Sequence, residues 1–300
     1  MKIGLLDVDG HNFPNLPLMK ISGYYKAKGH DVEWATPFDY YDIIYKAKTF
    51  TFTEDDKRFY NTPEIVKGGT GYDVKSVLPD EIEQFNDPDY SIYPMFDFSI
   101  QRFSTGCIRQ CPFCIVNEKE GKIKSVKTLE LNPNGKSIEV IDNNFFANPE
   151  WPYAVEYLNK TRQPVNLHGV DIRIMTKEQA NAINSMKLKK NIHIAWDLPQ
   201  IDLTDKLQML VELIKPYKIT CYVLVGFNST IEQDMWRLNT LKSLGILPFV
   251  QPFRDYDNHT EPSQYTKDLA RWANRAWLFK SMDFKDFKPR KNFCCSEYFK

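Results

Sequence analysis

Phe98-Ser99-Ile100-Gln101-Arg102-Phe103 reads as a β-strand, and just past its end comes Gly106-Cys107-Ile108-Arg109-Gln110-Cys111-Pro112-Phe113-Cys114. Three of the six cysteines of the chain therefore fall within eight positions directly beyond a strand. Six cysteines in 300 residues do not make a disulfide scaffold. In a reducing compartment such crowding points to metal binding or catalysis. Thiolates are the usual ligands of iron–sulfur clusters. Three of them on one short loop can hold three irons of a four-iron cluster and leave the fourth open for substrate. Zinc is the competing reading, but structural zinc calls for four ligands, usually as two separated pairs. Here Cys221 lies inside a predicted strand, and Cys294-Cys295 is one adjacent pair that reads as part of a frayed tail.

Downstream, strand and helix alternate. Ser137–Ile141 is a second strand and ends at Asp142-Asn143-Asn144, with a helix expected from Pro152 to Lys160. A third strand, Pro164–Leu167, ends near Asp171 and Arg173, and its helix opens with Thr176 and Gln179 in capping-box spacing. Ile192–Trp196 is the fourth strand, followed by a helix over Thr204–Ile214. The fifth, Ile219–Val225, leads to a helix that Ser229 and Glu232 would cap and Gly245 would stop. Ile246–Val250 makes a sixth. Six consecutive βα units imply a partial (β/α)6 barrel, whose chemistry gathers at the C-terminal ends of its strands.

Upstream, Ile3–Leu6, Asp31–Trp34 and Tyr41–Tyr45 read as strands, Leu16–Lys28 as a helix stopped by Gly29, and Glu64–Val66 as a strand before Gly68-Gly69. This order implies a small parallel, Rossmann-like α/β domain. Pro79 to Pro94 lacks periodicity and is expected to be a linker. The expected division is residues 1–90, a barrel over 91–260, and a C-terminal helical segment and tail over 261–300, with Trp272–Phe287 packing as a helix.

The Cys-x3-Cys-x2-Cys pattern with an aromatic before the last cysteine resembles the signature of the radical S-adenosylmethionine (SAM) superfamily, and the likeness extends over about residues 97–255. The resemblance implies a [4Fe-4S] cluster on Cys107, Cys111 and Cys114, whose open iron takes the amino and carboxylate groups of SAM. One electron would cleave the sulfonium to methionine and a 5′-deoxyadenosyl radical, which abstracts hydrogen from substrate. It places Phe113 near cluster and adenine. The family often has Gly-Gly-Glu after its second strand; Asp142, Asn143 and Asn144 stand there instead and supply comparable acceptors. Loop-capping by the two asparagines is the competing reading. Asp171 and Arg173 would meet the ribose hydroxyls and the methionine carboxylate, unless they form an ordinary ion pair. Gly226 would allow close approach of the adenine.

A Rossmann-like domain ahead of such a barrel is similar to the cobalamin-binding arrangement of part of the superfamily. Asp9-Gly10-His11-x-x-Pro14 follows the first strand as the cobalt-ligating loop does, except at its last position. Bound cobalamin would make the protein a methyltransferase, but about 80–90 residues is short for that cofactor, and a turn histidine is the simpler reading of His11.

Composition narrows the function further. Lys+Arg and Asp+Glu total 39 each, which argues against gripping nucleic acid by overall charge. The basic clusters Lys187-Leu188-Lys189-Lys190 and Lys288-Pro289-Arg290-Lys291 read as solvated faces. A non-catalytic iron–sulfur or nucleic-acid-binding module is the alternative from another class. Met1–Asp7 reaches a charge too early for a signal peptide, so a cytoplasmic protein without a membrane span is expected. No cysteine precedes Cys107, which argues against methylthiolation, and only two follow the barrel, too few for an auxiliary cluster. The expected partners are a small-molecule or nucleotide substrate and an electron donor such as flavodoxin or ferredoxin.

Overall fold

Lys2–Asp7 forms β1, four of whose six residues are buried, and the chain turns through Asn15 into α1, Leu16–Ala27. The Asn15 side chain accepts from the Leu18 N–H at 3.2 Å, filling the N-cap role. The helix ends at Lys28 and Gly29, whose φ of +79° suits glycine. Asp31–Trp34 is β2, Ile43–Ala47 is β3 and Ile65–Gly68 is β4. All pairings are parallel, in the order β2-β1-β3-β4. Leu18, Met19, Ile21 and Tyr24 of α1 bury against Ile3, Leu5 and Val32, each aliphatic side chain contributing about 1.5–3 kcal/mol before entropy is counted.

The computed structural model describes residues 1–255 and 260–300 and is an α/β protein with several parallel sheets. It divides into two compact units, Met1–Ala154 and Val155–Lys300, so residues 91–154 group with the N-terminal sheet. The stretch from 79 to 94 is not a loose linker. It holds α2, Asp80–Glu83, and a 3₁₀ turn at Tyr90–Ile92. Ile82, Ile92 and Tyr93 enter the same core as α1, and Asp89 accepts from the Ser22 hydroxyl at 2.6 Å.

The first unit continues with β5, Ser99–Gln101, and β6, Ser104–Thr105. Then come α3, Val116–Lys119; β7, Lys124–Ser125; and β8, Ile138–Val140. β5 pairs with β8 in parallel, and β6 with β7 antiparallel. Helix α4, Trp151–Thr161, spans the division.

In the second unit β9 is Val165–Leu167, α5 Lys177–Ser185, β10 Ile192–Ala195 and α6 Thr204–Leu213. β11 is Ile219–Val225, α7 Ile231–Ser243 and β12 Leu247–Pro252, and β10-β11-β12 form a parallel sheet. The expected capping box of α5 is present at Thr176 and Gln179. That of α7 falls one residue later than expected, at Thr230 and Gln233, because the Ser229 hydroxyl already accepts from the Gly226 N–H at 3.1 Å.

Helix α8, Gln264–Ala273, ends just past Trp272, and the helix expected over Trp272–Phe287 is instead α9, Ala276–Ser281, followed by a 3₁₀ turn at Phe284–Asp286. The C-terminal end is not frayed. Asp268, fully buried, accepts from Gln264 Nε2 at 2.9 Å and Tyr298 Oη at 2.7 Å, and Cys295 is fully buried as well. Among the described residues no helix is long and apolar enough to cross a membrane.

Candidate functional site

The cysteine loop is a closed arc. Its ends meet where Ser104 pairs with Ser125 and Thr105 with Lys124. Inside that gate the Cys107 N–H donates to the Gly121 carbonyl at 3.2 Å. Gly106 has φ +76°, and a Cβ there would lie 2.4 Å from the Lys122 carbonyl oxygen. Only glycine fits, because both the backbone sign and the backbone approach exclude a side chain. Within the arc, the Cys114 N–H donates to the Cys111 carbonyl at 3.0 Å, and Asn117 Nδ2 donates to the Arg109 carbonyl. The Arg109 N–H points at Cys107 Sγ, 3.4 Å away. Cys107 and Cys111 are half-buried, as is Phe113, and Cys114 is exposed.

Parallel pairing of β5 with β8 brings Asp142-Asn143-Asn144 to this loop. Each of the three does something different. Asp142 is 2% exposed. One carboxylate oxygen accepts from the Ser104 N–H at 2.7 Å and the Ser104 hydroxyl at 2.6 Å, and the other from the Phe103 N–H at 3.0 Å. The expected ligand acceptor thus anchors the entry to the cysteine arc. Burial pushes its pKa up, and these hydrogen bonds oppose the shift.

Asn143 is exposed and donates to Glu120 Oε2 at 2.8 Å, and the same oxygen accepts from the Gly106 N–H at 2.7 Å. One carboxylate therefore joins the β8 end to the start of the arc. Asn144 is buried and makes no side-chain cap for the 3₁₀ turn Phe145–Ala147 that follows it. Its amide Nδ2 instead lies 3.9 Å from Cys107 Sγ, a position from which it can donate to a thiolate. Asn148, also buried, donates to the Phe103 carbonyl at 3.1 Å and accepts from the Ser125 hydroxyl at 2.8 Å.

The remaining expected residues belong to the second unit. Asp171 is 8% exposed and holds Arg173 by a two-pronged contact, Nε to Oδ1 at 2.7 Å and Nη2 to Oδ2 at 3.1 Å. It also caps the 3₁₀ turn Ile172–Ile174 through the Arg173 N–H at 3.0 Å. Gly226, exposed with φ +80°, follows β11. Asp197, past the end of β10, was not anticipated. Its carboxylate accepts from the Leu224 N–H at 3.2 Å, and burial raises its pKa against the pull of Arg237 and Arg173. The strand-end rule that selects Asp142 and Asp171 would have found it. Nothing comparable marks Glu120 or Asn148.

Three thiols on one loop are the donor set an iron–sulfur cluster needs, and a buried amide beside Cys107 suits a thiolate ligand. Among the described residues no three His, Cys, Asp or Glu side chains converge as a ready metal cage. The N-terminal loop differs. The His11 ring lies on Trp34 with centroids 4.3 Å apart and edge-on to Tyr93 at 5.4 Å. Asp9 accepts from the N–H of Thr49, and from the Phe50 N–H at 3.3 Å and the Thr53 hydroxyl at 2.6 Å. A Cβ on Gly69 would meet the Lys48 carbonyl at 2.3 Å, so this glycine admits the chain's own backbone. No protein-family model matches this chain, and no curated protein does.

Proposed function

We propose that the protein is a radical SAM enzyme with a partial (β/α)6 barrel, holding a [4Fe-4S] cluster on Cys107, Cys111 and Cys114. The observation that carries this reading is the architecture of the cysteine arc. Three thiols stand on one loop whose ends are held by β6–β7 pairing and by Glu120, with a buried amide beside the first of them. When bound, such a cluster with SAM supplies the one-electron cleavage that yields methionine and a 5′-deoxyadenosyl radical able to take hydrogen from a small-molecule or nucleotide substrate.

The chain's own residues have separable tasks. Asp142 and Asn148 fix the strand ends from which the arc departs. Glu120 holds Gly106 to Asn143, and Asn144 offers an N–H to Cys107. Phe113, half-buried, would pack near the cluster and adenine, as the resemblance implies. Asp171 and Arg173 form the ion pair that is the competing reading of these two residues, so the Nε–Nη2 edge of the guanidinium is already occupied. His11, packed on Trp34 and Tyr93, gives no support to a cobalamin-dependent reaction.

Anaerobic reconstitution with iron and sulfide, reduction with dithionite in the presence of SAM, and assay of 5′-deoxyadenosine test the proposal. Wild-type protein is expected to form the product and Cys111→Ala to form none. A loaded and reduced cluster that leaves SAM intact, with candidate substrates present, would favour the non-catalytic module instead.

A further inference from the structure

In the second unit the sheet has two unlike faces. Ile192, Ile194, Cys221, Val223 and Val225 are buried on one of them. The alternate positions His193, Thr220 and Tyr222 are half-buried on the other. There the rings form a band from strand to strand. His168, just past β9, faces His193 with centroids 6.0 Å apart and planes at 28°. His193 continues to Tyr222 at 5.4 Å and 32°, and Tyr222 meets Phe249 of β12 edge-on at 5.4 Å. Asn166 Nδ2 adds an amide 3.2 Å from His168 Nε2. Register places Thr220 beside His193, and Phe249 beside Tyr222.

The chemistry of this band is selective. None of its positions on β10, β11 and β12 is Asp, Glu, Lys or Arg, although those residues make up 26% of the chain. A face kept for water would carry some of them. A phosphate or carboxylate would find no cation on these strands. Flat rings offer stacking, and the Tyr222 hydroxyl can pair with the edge of a ring that carries donors or acceptors. We propose that the band holds an uncharged planar heterocycle, the nucleobase of a nucleoside-type substrate. The proposal rests on reading the chain as an enzyme for small molecules or nucleotides, and names the part of the substrate that this unit recognises.

The test is calorimetric titration of adenosine and of uridine into the full chain, before and after cluster reconstitution. Saturable binding is expected, with none for ribose 5-phosphate, which lacks a base. Loss of one stacking ring costs about five- to a hundredfold in affinity, so Tyr222→Ala and Phe249→Ala should each weaken binding by at least that lower factor. Tyr222→Phe keeps the ring and should restore it. Phe249 is 43% exposed, so its truncation should leave the fold, checked by circular dichroism, intact. Folded protein that binds neither nucleoside, or whose binding ignores both alanine variants, overturns the proposal. So does one-for-one displacement of the nucleoside by SAM, which would assign the band to the cofactor's adenine. Cys111→Ala is expected to bind normally, so a failure of the radical chemistry would leave this result standing.

Discussion

Two loops of the first unit follow the ends of parallel strands and carry patterns that chemistry could use, but their polar groups face opposite duties. After β1, Asp9 and His11 are consumed by the chain itself: Asp9 ties down the loop after β3, and the His11 ring is packed on Trp34 and Tyr93. After β6 much of the tying is done by residues outside the motif, Asp142, Glu120 and Asn148, and Cys107 adds its own N–H to the Gly121 carbonyl.

The largest effect on stability should come from the frame of the arc. Asp142→Ala leaves the Phe103 and Ser104 N–H groups buried without their acceptor, and is expected to cost about 2–4 kcal/mol in denaturant unfolding. Asp142 also makes a pH statement. Its folded pKa lies above the unfolded value, so the native state holds the proton more tightly. Stability from this group is therefore full below the ordinary carboxylate range and falls as pH rises through the raised value. Asp142→Asn should flatten that fall, and an unchanged slope would show that Asp142 does not titrate there.

Glu120→Ala should cost less, about 1–2 kcal/mol, yet reduce iron loading of the arc several-fold, because Gly106 and Asn143 lose their common acceptor. Normal loading with lowered stability would mean that the carboxylate serves folding only. His11→Ala is the smallest, about 1 kcal/mol for the lost ring contacts. Added hydroxocobalamin should give the same visible spectrum with wild type and with this variant; a His11-dependent spectral change would erase the contrast between the two loops.

The parts legible in the sequence are those set by local physics. Asp31–Trp34 and Ile219–Val225 fall where apolar pattern and β-branched content put them, and Leu16 to Gly29 is bounded by a cap and a left-handed glycine. Two capping boxes overlap at Ser229 and Thr230, and sequence spacing cannot rank them. The tertiary turn does, by engaging Ser229 with Gly226. The start of β3 lies two residues later than Tyr41, which is buried through its own packing and donates its hydroxyl to Glu33 at 3.0 Å. For the site, the cysteines and the Asp142–Asn144 stretch were visible as a motif and a strand end. The turning of Asp142 back onto Ser104, 38 residues away, and the bridge made by Glu120 were not, because both depend on strand pairing at long range.

The proposed cluster is held by three cysteines, with one iron open to SAM. Electron paramagnetic resonance of the reconstituted, reduced protein with and without SAM tests it most directly. Expected are about four irons per chain, a reduced-cluster signal absent from Cys111→Ala, and a clear change in that signal when SAM is added. A fully loaded cluster whose spectrum ignores SAM, or a chain that takes up zinc and forms no cluster, would contradict it.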